Sequence, residues 1–303
     1  MTRPFASACI SASLGLLAIS ASQLSAQDGG SWVGKMVLTK EAGEVSRNES
    51  SGPLNRVVYF VLADQGDSVR LRQYGIEGWV PKSGLVTLDD SLAFFGERIR
   101  TNPSDDRAWA MRATAQRWQG RLDNAIQDIN EAIRLNPSPA WYNNRGLTYH
   151  NMKDQDRAIA DYTEAIRLDP NNFFAYYNRG NAYRTKGDFT QAKGDYQEAI
   201  RLNPRDPNPH NGLAWLLATS PKAELRDGKK AIESATRANE LTNWLRANDW
   251  GTLAAAYAEA GQFAEARKWQ QKALDDAAYA ASYRDEATAR LKLYEQNKPY
   301  HEK

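Results

Sequence analysis

Histidine is the side chain best suited to acid–base and metal chemistry near neutral pH. The 303-residue sequence contains three, at His150, His210 and His301, and at least 60 residues separate any two of them. No pair therefore has the close spacing of a metal site. His301 also lies in a polar stretch. We expect none of the three to bind a metal or to act in catalysis.

A short acidic cluster, Asp154, Asp156 and Asp161, is the next candidate for chemistry, as a calcium site. Its spacing lacks the alternating ligands of a calcium loop and the bidentate glutamate that closes one. These residues fall where a helix is expected to begin, and acids there stabilise the helix N-terminus. The sequence also lacks a glycine-rich phosphate loop and a nucleophile motif. It thus predicts a protein that is not an enzyme and that takes no cofactor or small-molecule substrate.

The charge of the chain argues against a nucleic-acid partner. Lys and Arg total 39 against 37 Asp and Glu, so no strong field attracts nucleic acid or an acidic membrane. Arg134, Arg167 and Arg201 recur along the sequence, but each is expected in the last turn of a helix. A cation there meets the negative end of the helix dipole, which stabilises the helix by roughly a few tenths of a kcal/mol.

The first 26 residues predict a secretory signal peptide. Arg3 precedes an apolar stretch at 14–19, and the small residues Ser25 and Ala26 stand where a signal peptidase cleaves. The apolar stretch is too short to span a bilayer, although an uncleaved membrane anchor is the alternative. Cys9 is the only cysteine, so cleavage leaves a chain without thiol chemistry. We expect a periplasmic or extracellular protein, at most peripheral to a membrane.

Proline marks a regular interval in the chain, at Pro103, Pro137, Pro170 and Pro204, with spacings of 34, 33 and 34 residues. Each of the last three ends a similar phrase, such as Ala-Ile-Arg-Leu-Asn-Pro at 132–137. A period of this length is typical of stacked supersecondary units rather than of one closed core. Each proline is expected to stop a helix, because it forces the preceding residue out of the α region.

Within each period, residue sizes recur at matching offsets. Small residues let two helices approach closely, and bulky residues fill the space beside them. Gly120, Gly187 and the pair Lys153-Asp154 fall where such a pair of helices must turn. The recurring set comprises an aromatic opener (Trp109, Tyr142, Tyr176), a small residue four positions later (Ala113, Gly146, Gly180), two alanines (Ala125 and Ala132, Ala158 and Ala165, Ala192 and Ala199) and a bulky residue between them (Ile129, Tyr162, Tyr196).

These helical hairpins resemble the tetratricopeptide repeat family. The resemblance implies a mainly α fold, a solenoid of helical hairpins. The predicted units are a capping half-repeat helix at 89–103, repeats at 104–137, 138–170 and 171–204, a divergent repeat with an insertion at 207–242, a fifth repeat at 247–276 and a C-terminal capping helix at 277–297.

Residues 32–88 follow a different pattern, of short β-prone runs separated by Gly and Asp turns. Residues 57–62 are rich in β-branched and aromatic types. In residues 68–73, Val69, Leu71 and Gln73 alternate with Ser68, Arg70 and Arg72. Four or five strands of this kind predict a small β-barrel in front of the helices. The stretch 66–88, with Trp79, resembles bacterial SH3-like domains, and an unclassified β-module is the alternative. The resemblance implies a contact to protein or cell-wall peptide.

Stacked hairpins curve, so their first helices line a concave groove. In the tetratricopeptide family, groove asparagines bind the backbone of an extended peptide, and cations hold its terminal carboxylate. The resemblance therefore implies peptide contacts at Asn144, Asn178, Asn181 and Arg184, with Arg117 as a carboxylate partner. The alternative for the asparagines is that they are solvated or bridge adjacent hairpins. The two-lysine clamp of some family members is not evident.

The sequence thus predicts an exported interaction scaffold that holds a peptide or protein segment in its groove. A self-associating assembly or regulatory subunit of a cell-envelope complex is the rival hypothesis.

Overall fold

The computed structural model describes residues 31–40, 58–73 and 76–303. The predicted signal peptide, with Cys9, lies outside these residues. Internal contacts divide the chain into an N-terminal unit, residues 27–170, and a C-terminal unit that contains residues 171–303. No helix in the described part of the chain is both long and apolar enough to cross a membrane.

The N-terminal unit begins with a small antiparallel sheet, as the short β-prone runs predict. Its five described strands lie in the order β4-β3-β2-β1-β5. The β2–β3 hairpin turns at Gly66, whose φ of 57° is in the left-handed region that favours glycine. The strands are β1 (Met36–Thr39), β2 (Val58–Gln65), β3 (Ser68–Gln73), β4 (Ile76–Pro81) and β5 (Leu85–Thr87).

Side chains are buried on both faces of this sheet. Neighbouring residues of β1 and β5 point to opposite faces, so each strand contributes to two clusters. Val37 and Leu85 are buried in a cluster formed by the strands themselves. Leu38 and Val86 are buried with Phe95 and residues of the next two helices. The first helix therefore joins the sheet to the hairpins rather than standing alone.

Helical hairpins make up the rest of the N-terminal unit. The helices are α1 (Leu88–Thr101), α2 (Asp106–Trp118), α3 (Leu122–Leu135), α4 (Pro139–Asn151) and α5 (Gln155–Leu168). Helix α2 pairs with α3, and α4 pairs with α5.

The C-terminal unit continues the same pattern and ends in one longer helix. The helices are α6 (Phe173–Lys186), α7 (Phe189–Leu202), α8 (Pro207–Thr219), α9 (Gly228–Leu241), α10 (Ala247–Glu259), α11 (Phe263–Asp275) and α12 (Ala277–Glu295). Helices α6, α8 and α10 each open a hairpin. The mainly α fold of helical hairpins behind a small sheet is confirmed.

Prolines end helices by the predicted mechanism. Asn136, Asp169 and Asn203 each precede a proline, and their φ values are −151°, −140° and −140°. This is extended backbone, which a helix cannot continue. Within the hairpins the chain turns at Gly120 and Gly187, whose φ values are 76° and 88°. Glycine adopts this conformation without steric cost.

Close helix packing explains the small residues of the repeats. A Cβ atom added to Gly146 would lie 2.6 Å from Cε1 of Tyr162, and one added to Gly180 would lie 2.9 Å from Cε1 of Tyr196. Both tyrosines are fully buried and cannot yield easily. The bulky position of the second helix therefore fills the space left by the small residue of the first.

An ion pair also recurs within the hairpins, between residues 16 positions apart. Arg112 donates two hydrogen bonds to Asp128, Arg145 donates two to Asp161, and Arg179 donates two to Asp195, at 2.7–2.9 Å. Each aspartate is buried. Two parallel bonds from a guanidinium fix the orientation of both side chains, so the pair clamps first helix to second.

Candidate segment-binding surface

The first helices of the C-terminal unit lie side by side. Helix α8 contacts both α6 and α10. The predicted groove residues Asn178, Asn181 and Arg184 follow one another at three-residue intervals along α6. The surface of these helices is therefore the place to look for a bound segment.

A segment of the same chain lies on this surface. Helix α12 ends at Glu295, the chain turns at Asn297, whose φ is 54°, and residues 298–303 then run on without helix or strand structure. We call residues 298–303 the tail segment. The backbone N–H of Glu302 donates a hydrogen bond of 2.7 Å to the carbonyl of Thr219, in the last turn of α8.

The Glu302 carboxylate is held by two first helices. One oxygen, Oε1, accepts hydrogen bonds from Nη1 of Arg184 on α6 and from Nε1 of Trp215 on α8, both at 2.7 Å. The Arg184 side chain is 5% exposed, and that of Glu302 is 22% exposed. Hydrogen bonds between charged groups shielded from water are stronger than neutral ones. This surface is thus built to hold an anion.

Tyr300 adds an aromatic contact two residues before Glu302. Its ring centroid lies 6.1 Å from that of Trp215. The guanidinium of Arg290, on α12, lies 5.4 Å from the Trp215 ring centroid and 5.8 Å from that of Tyr300. Burial, and then the nearby Glu302 carboxylate, raise the pKa of Tyr300. Tyr300 therefore sits in a partly enclosed site with an aromatic wall and a cation.

His301 contacts the end of α10. Its Nε2 lies 2.7 Å from Oε2 of Glu259. The other oxygen of Glu259 accepts a hydrogen bond of 3.0 Å from Arg226, which also donates to the carbonyl of Ser220. Arg226 lies between α8 and α9, within residues 219–227, where the sequence predicts the insertion of the divergent repeat. The insertion therefore positions one of the groups that hold the tail segment.

The predicted α6 residues have different surroundings. Arg184 does bind a carboxylate, and that carboxylate is Glu302 of the same chain. The side-chain oxygen of Asn181 accepts a hydrogen bond of 2.7 Å from the Tyr196 hydroxyl, so this oxygen already serves packing between α6 and α7. Asn178 is half-buried. Arg184 is thus in contact with a non-helical segment of the chain.

The other two predicted residues, Arg117 and Asn144, lie in the N-terminal unit. Arg117 is half-buried in the last turn of α2, with its guanidinium 5.9 Å from the ring centroid of Trp118. Burial lowers its pKa, and no carboxylate pairs with it among the described residues. Asn144 is half-buried on α4, and its side-chain amide has no hydrogen bond within the described part of the chain. Asn144 therefore has an unused amide, whereas Arg117 contacts an aromatic ring but no carboxylate.

His150 and His210, which the sequence does not assign to a functional site, make hydrogen-bond contacts within the chain. His150 Nδ1 lies 2.6 Å from Oε1 of Gln155. His210 Nε2 lies 3.1 Å from the carbonyl of Pro204, and burial lowers the pKa of this histidine. Across residues 31–40, 58–73 and 76–303, His, Cys, Asp and Glu nowhere form a group of three that could hold a metal.

The acidic cluster has structural roles as well. Asp154 caps α5 by accepting a hydrogen bond from the backbone of Arg157, and Asp161 pairs with Arg145. Arg134, Arg167 and Arg201 lie in the last turns of α3, α5 and α7, where each pairs with a glutamate three residues earlier.

An open cleft of about 790 Å³ lies beside the sheet in the N-terminal unit. Trp32, Lys82 and Phe94 line it. Lys82 lies 5.5 Å from the Trp32 ring centroid and 2.6 Å from Oδ1 of Asp64, and its hydrogen bond holds the pKa of that carboxyl below its usual value. The cleft offers an aromatic and cationic surface separate from the hairpins.

Sequence reasoning missed Trp215 and Glu302. Trp215 lies 34 residues after Asn181, one repeat length further on, so the period itself could have identified it. Nothing in the local sequence distinguishes Glu302 from other glutamates, since its role depends on where α12 ends.

Family models for the tetratricopeptide repeat match residues 106–139, 139–172, 173–206 and 251–278. The chain thus contains tetratricopeptide repeats, as the periodicity predicts. The comparison with curated proteins finds no match.

Solved structures share the fold. The APC/C hetero-tetramer Cut9–Hcn1 aligns over 69% of this chain with a TM-score of 0.56 and 16% identity, but over only 42% of that chain. PilW, a widely conserved type IV pilus biogenesis factor, aligns over 62% of this chain and 85% of its own, with a TM-score of 0.55 and 18% identity. At these identities the likeness concerns the fold alone.

Proposed function

We propose that this chain is a non-enzymatic scaffold that holds a peptide or protein segment against the first helices of its repeats. Tetratricopeptide repeats are protein-interaction modules, and the chain carries several. The main support is the surface of α6 and α8, where Arg184, Trp215 and Thr219 already hold an irregular segment. Side-chain and backbone contacts together are what recognition of a peptide requires.

We also place Asn144 and Arg117 on the binding surface of the N-terminal unit. Among the described residues the Asn144 side chain makes no hydrogen bond and Arg117 pairs with no carboxylate, and each residue lies on the first helix of a hairpin. An amide that can both donate and accept suits a peptide backbone, and a guanidinium suits a carboxylate.

The protein acts outside the cytoplasm in this proposal. The support is the signal-like segment at 1–26 and a sequence with no cysteine after it. A fusion of residues 1–26 to a reporter enzyme that is active only after export tests this. Reporter activity is expected, and its loss is expected when Leu16 is changed to Arg. An inactive fusion with the unchanged segment would disprove export.

The sheet at 36–87 serves as a second contact in the proposal, as an SH3-like module. The cleft beside Trp32 and Phe94 is the surface that supports this role. Two modules that bind one partner raise avidity, because the second contact forms within the complex.

Capture of partners from a cell-envelope extract tests the groove. The double substitution Asn144→Ala and Asn178→Ala should leave the melting temperature nearly unchanged and reduce the captured partner at least several-fold. Thr163→Ala with Gln197→Ala, on exposed positions of second helices, is the matched control. Equal capture by both double variants would contradict the groove assignment.

Self-association is the rival. Light scattering of the chain at increasing concentration separates the two ideas, since a stable monomer excludes an assembly held by the repeat ends. A mass that rises with concentration would instead favour the assembly subunit.

A further inference from the structure

We infer that the tail segment, residues 298–303, is an internal ligand of the surface formed by α6, α8, α10 and α12. The same surface then selects segments of other proteins that carry an aromatic residue two positions before a glutamate. This inference rests on the proposed function. It adds the chemistry of the segment that the surface binds, and it identifies the tail segment as a competitor of that partner segment.

The contacts of the tail segment define which features of a segment the surface recognises. The carboxylate of Glu302 is bound by Arg184 and Trp215, which come from different helices. The Tyr300 ring lies against Trp215 and Arg290. The backbone N–H of Glu302 donates to Thr219, which fixes the register of the segment. One anion, one aromatic ring and one backbone bond define a short motif, tyrosine-x-glutamate in this chain.

The tail segment is more than the end of a packed helix. Helix α12 ends at Glu295, and all of its buried residues come before the tail segment: Tyr279, Ala280, Ala287, Arg290 and Tyr294. Tyr300, His301 and Glu302 are only half-buried. The Tyr300 ring packs against the edge of the cluster that contains Ala254 and Tyr294, whereas His301 and Glu302 make polar contacts. A segment held in this way leaves the surface at a lower cost than a core element does.

The tail segment competes with external segments because it is covalently linked to the surface that it occupies. A segment linked to its own site is present at a millimolar effective concentration. If the tail segment is docked in 90–99% of molecules, an external segment binds about 10- to 100-fold more weakly than it does to the open surface. Release of the tail segment would therefore make the surface available to a partner.

The test measures the tail sequence as a separate peptide. The probe is fluorescein-labelled Lys-Pro-Tyr-His-Glu-Lys, and its binding is followed by fluorescence anisotropy to millimolar protein concentration. The proteins are the intact chain, a variant without residues 299–303, and the full-length variant Tyr300→Ala with Glu302→Gln. The third protein keeps the test valid if the deletion does not fold.

We call the deletion variant and the double-substitution variant the released variants. The probe should bind both at least about 10-fold more tightly than the intact chain. Probes with Tyr→Ala or Glu→Gln should lose most of this binding. Arg184→Ala in the released background should abolish it, whereas Arg201→Ala should not, since Arg201 is exposed on α7 and pairs with Glu198.

Two results would overturn the inference: no probe binding to either released variant, or equal binding to the intact and released chains. If the probe fails while Asn144→Ala with Asn178→Ala still reduces partner capture, the inference falls and the proposed function stands. If capture is also unaffected, the proposed function falls with it.

Discussion

Nη1 of Arg184 lies 2.7 Å from Oε1 of Glu302, although 118 residues separate them in sequence. Arg184 is nearly inaccessible to solvent, so its charge needs a partner close by. The residue sits on a first helix of the hairpin stack, where the family resemblance places ligand contacts. The inferred ligand chemistry of this surface therefore depends first on this pair.

Glu302→Gln should lower stability by about 1–2 kcal/mol, because the hydrogen bonds from Arg184 and Trp215 lose their charged acceptor. Urea unfolding monitored by circular dichroism measures this. Glu198→Gln is the matched control, and its loss should be much smaller, since water screens the exposed pair of Glu198 with Arg201. Equal effects of the two substitutions would mean that the Arg184–Glu302 pair contributes nothing special.

Gly180→Leu should destabilise the chain by about 1–3 kcal/mol, because the added side chain collides with buried Tyr196. Gly194→Leu, on the adjacent helix, is the matched control, since no atom lies within 4 Å of an added Cβ there. Thermal unfolding should separate the two variants. An unchanged melting temperature for Gly180→Leu would show that the repeat register is wrong.

Lys153→Gly should stabilise the chain by about 0.5–1 kcal/mol, since Lys153 has a φ of 67° in a turn where equivalent positions carry glycine. The reverse change, Gly187→Lys at φ 88°, should destabilise it. Differential scanning calorimetry of both variants gives the comparison. A lower melting temperature for Lys153→Gly would contradict this account of the turn.

Asp161→Asn should cost about 1.5–3 kcal/mol, because Arg145 loses a charged partner in a largely buried setting. Glu164→Gln removes an exposed pair with Arg167 on the same helix and should have little effect. A double-mutant cycle with Arg145→Leu isolates the pair. A coupling energy near zero would show that the recurring clamp does not join the helices.

Features that depend on neighbouring residues could be predicted from the sequence. Each proline stops its helix through the conformation of one adjacent residue, and Gly120 and Gly187 turn the chain where the period places them. The pairing of Gly180 with Tyr196 follows from size alternation at fixed offsets. These signals repeat, so one period supports the next.

The rest of the site depends on distant parts of the chain. The Arg–Asp clamps recur at a fixed spacing of 16 residues, and a search for charge pairs at that offset would have found them. Glu302 gives no such signal, because its contact with Arg184 requires the segment after α12 to reach α8. Asn181 was predicted to bind peptide, but its oxygen bonds Tyr196, a contact that only the packed hairpin reveals.

The most direct test of the account is site-specific photo-crosslinking in cells. A photo-reactive amino acid replaces Asn144 or Asn178 on first helices, or Thr163 or Gln197 on exposed positions of second helices. We predict that a partner protein is crosslinked from each of the first-helix positions and not from the second-helix positions. Crosslinks of equal yield from all four positions would contradict a segment held on the first-helix surface.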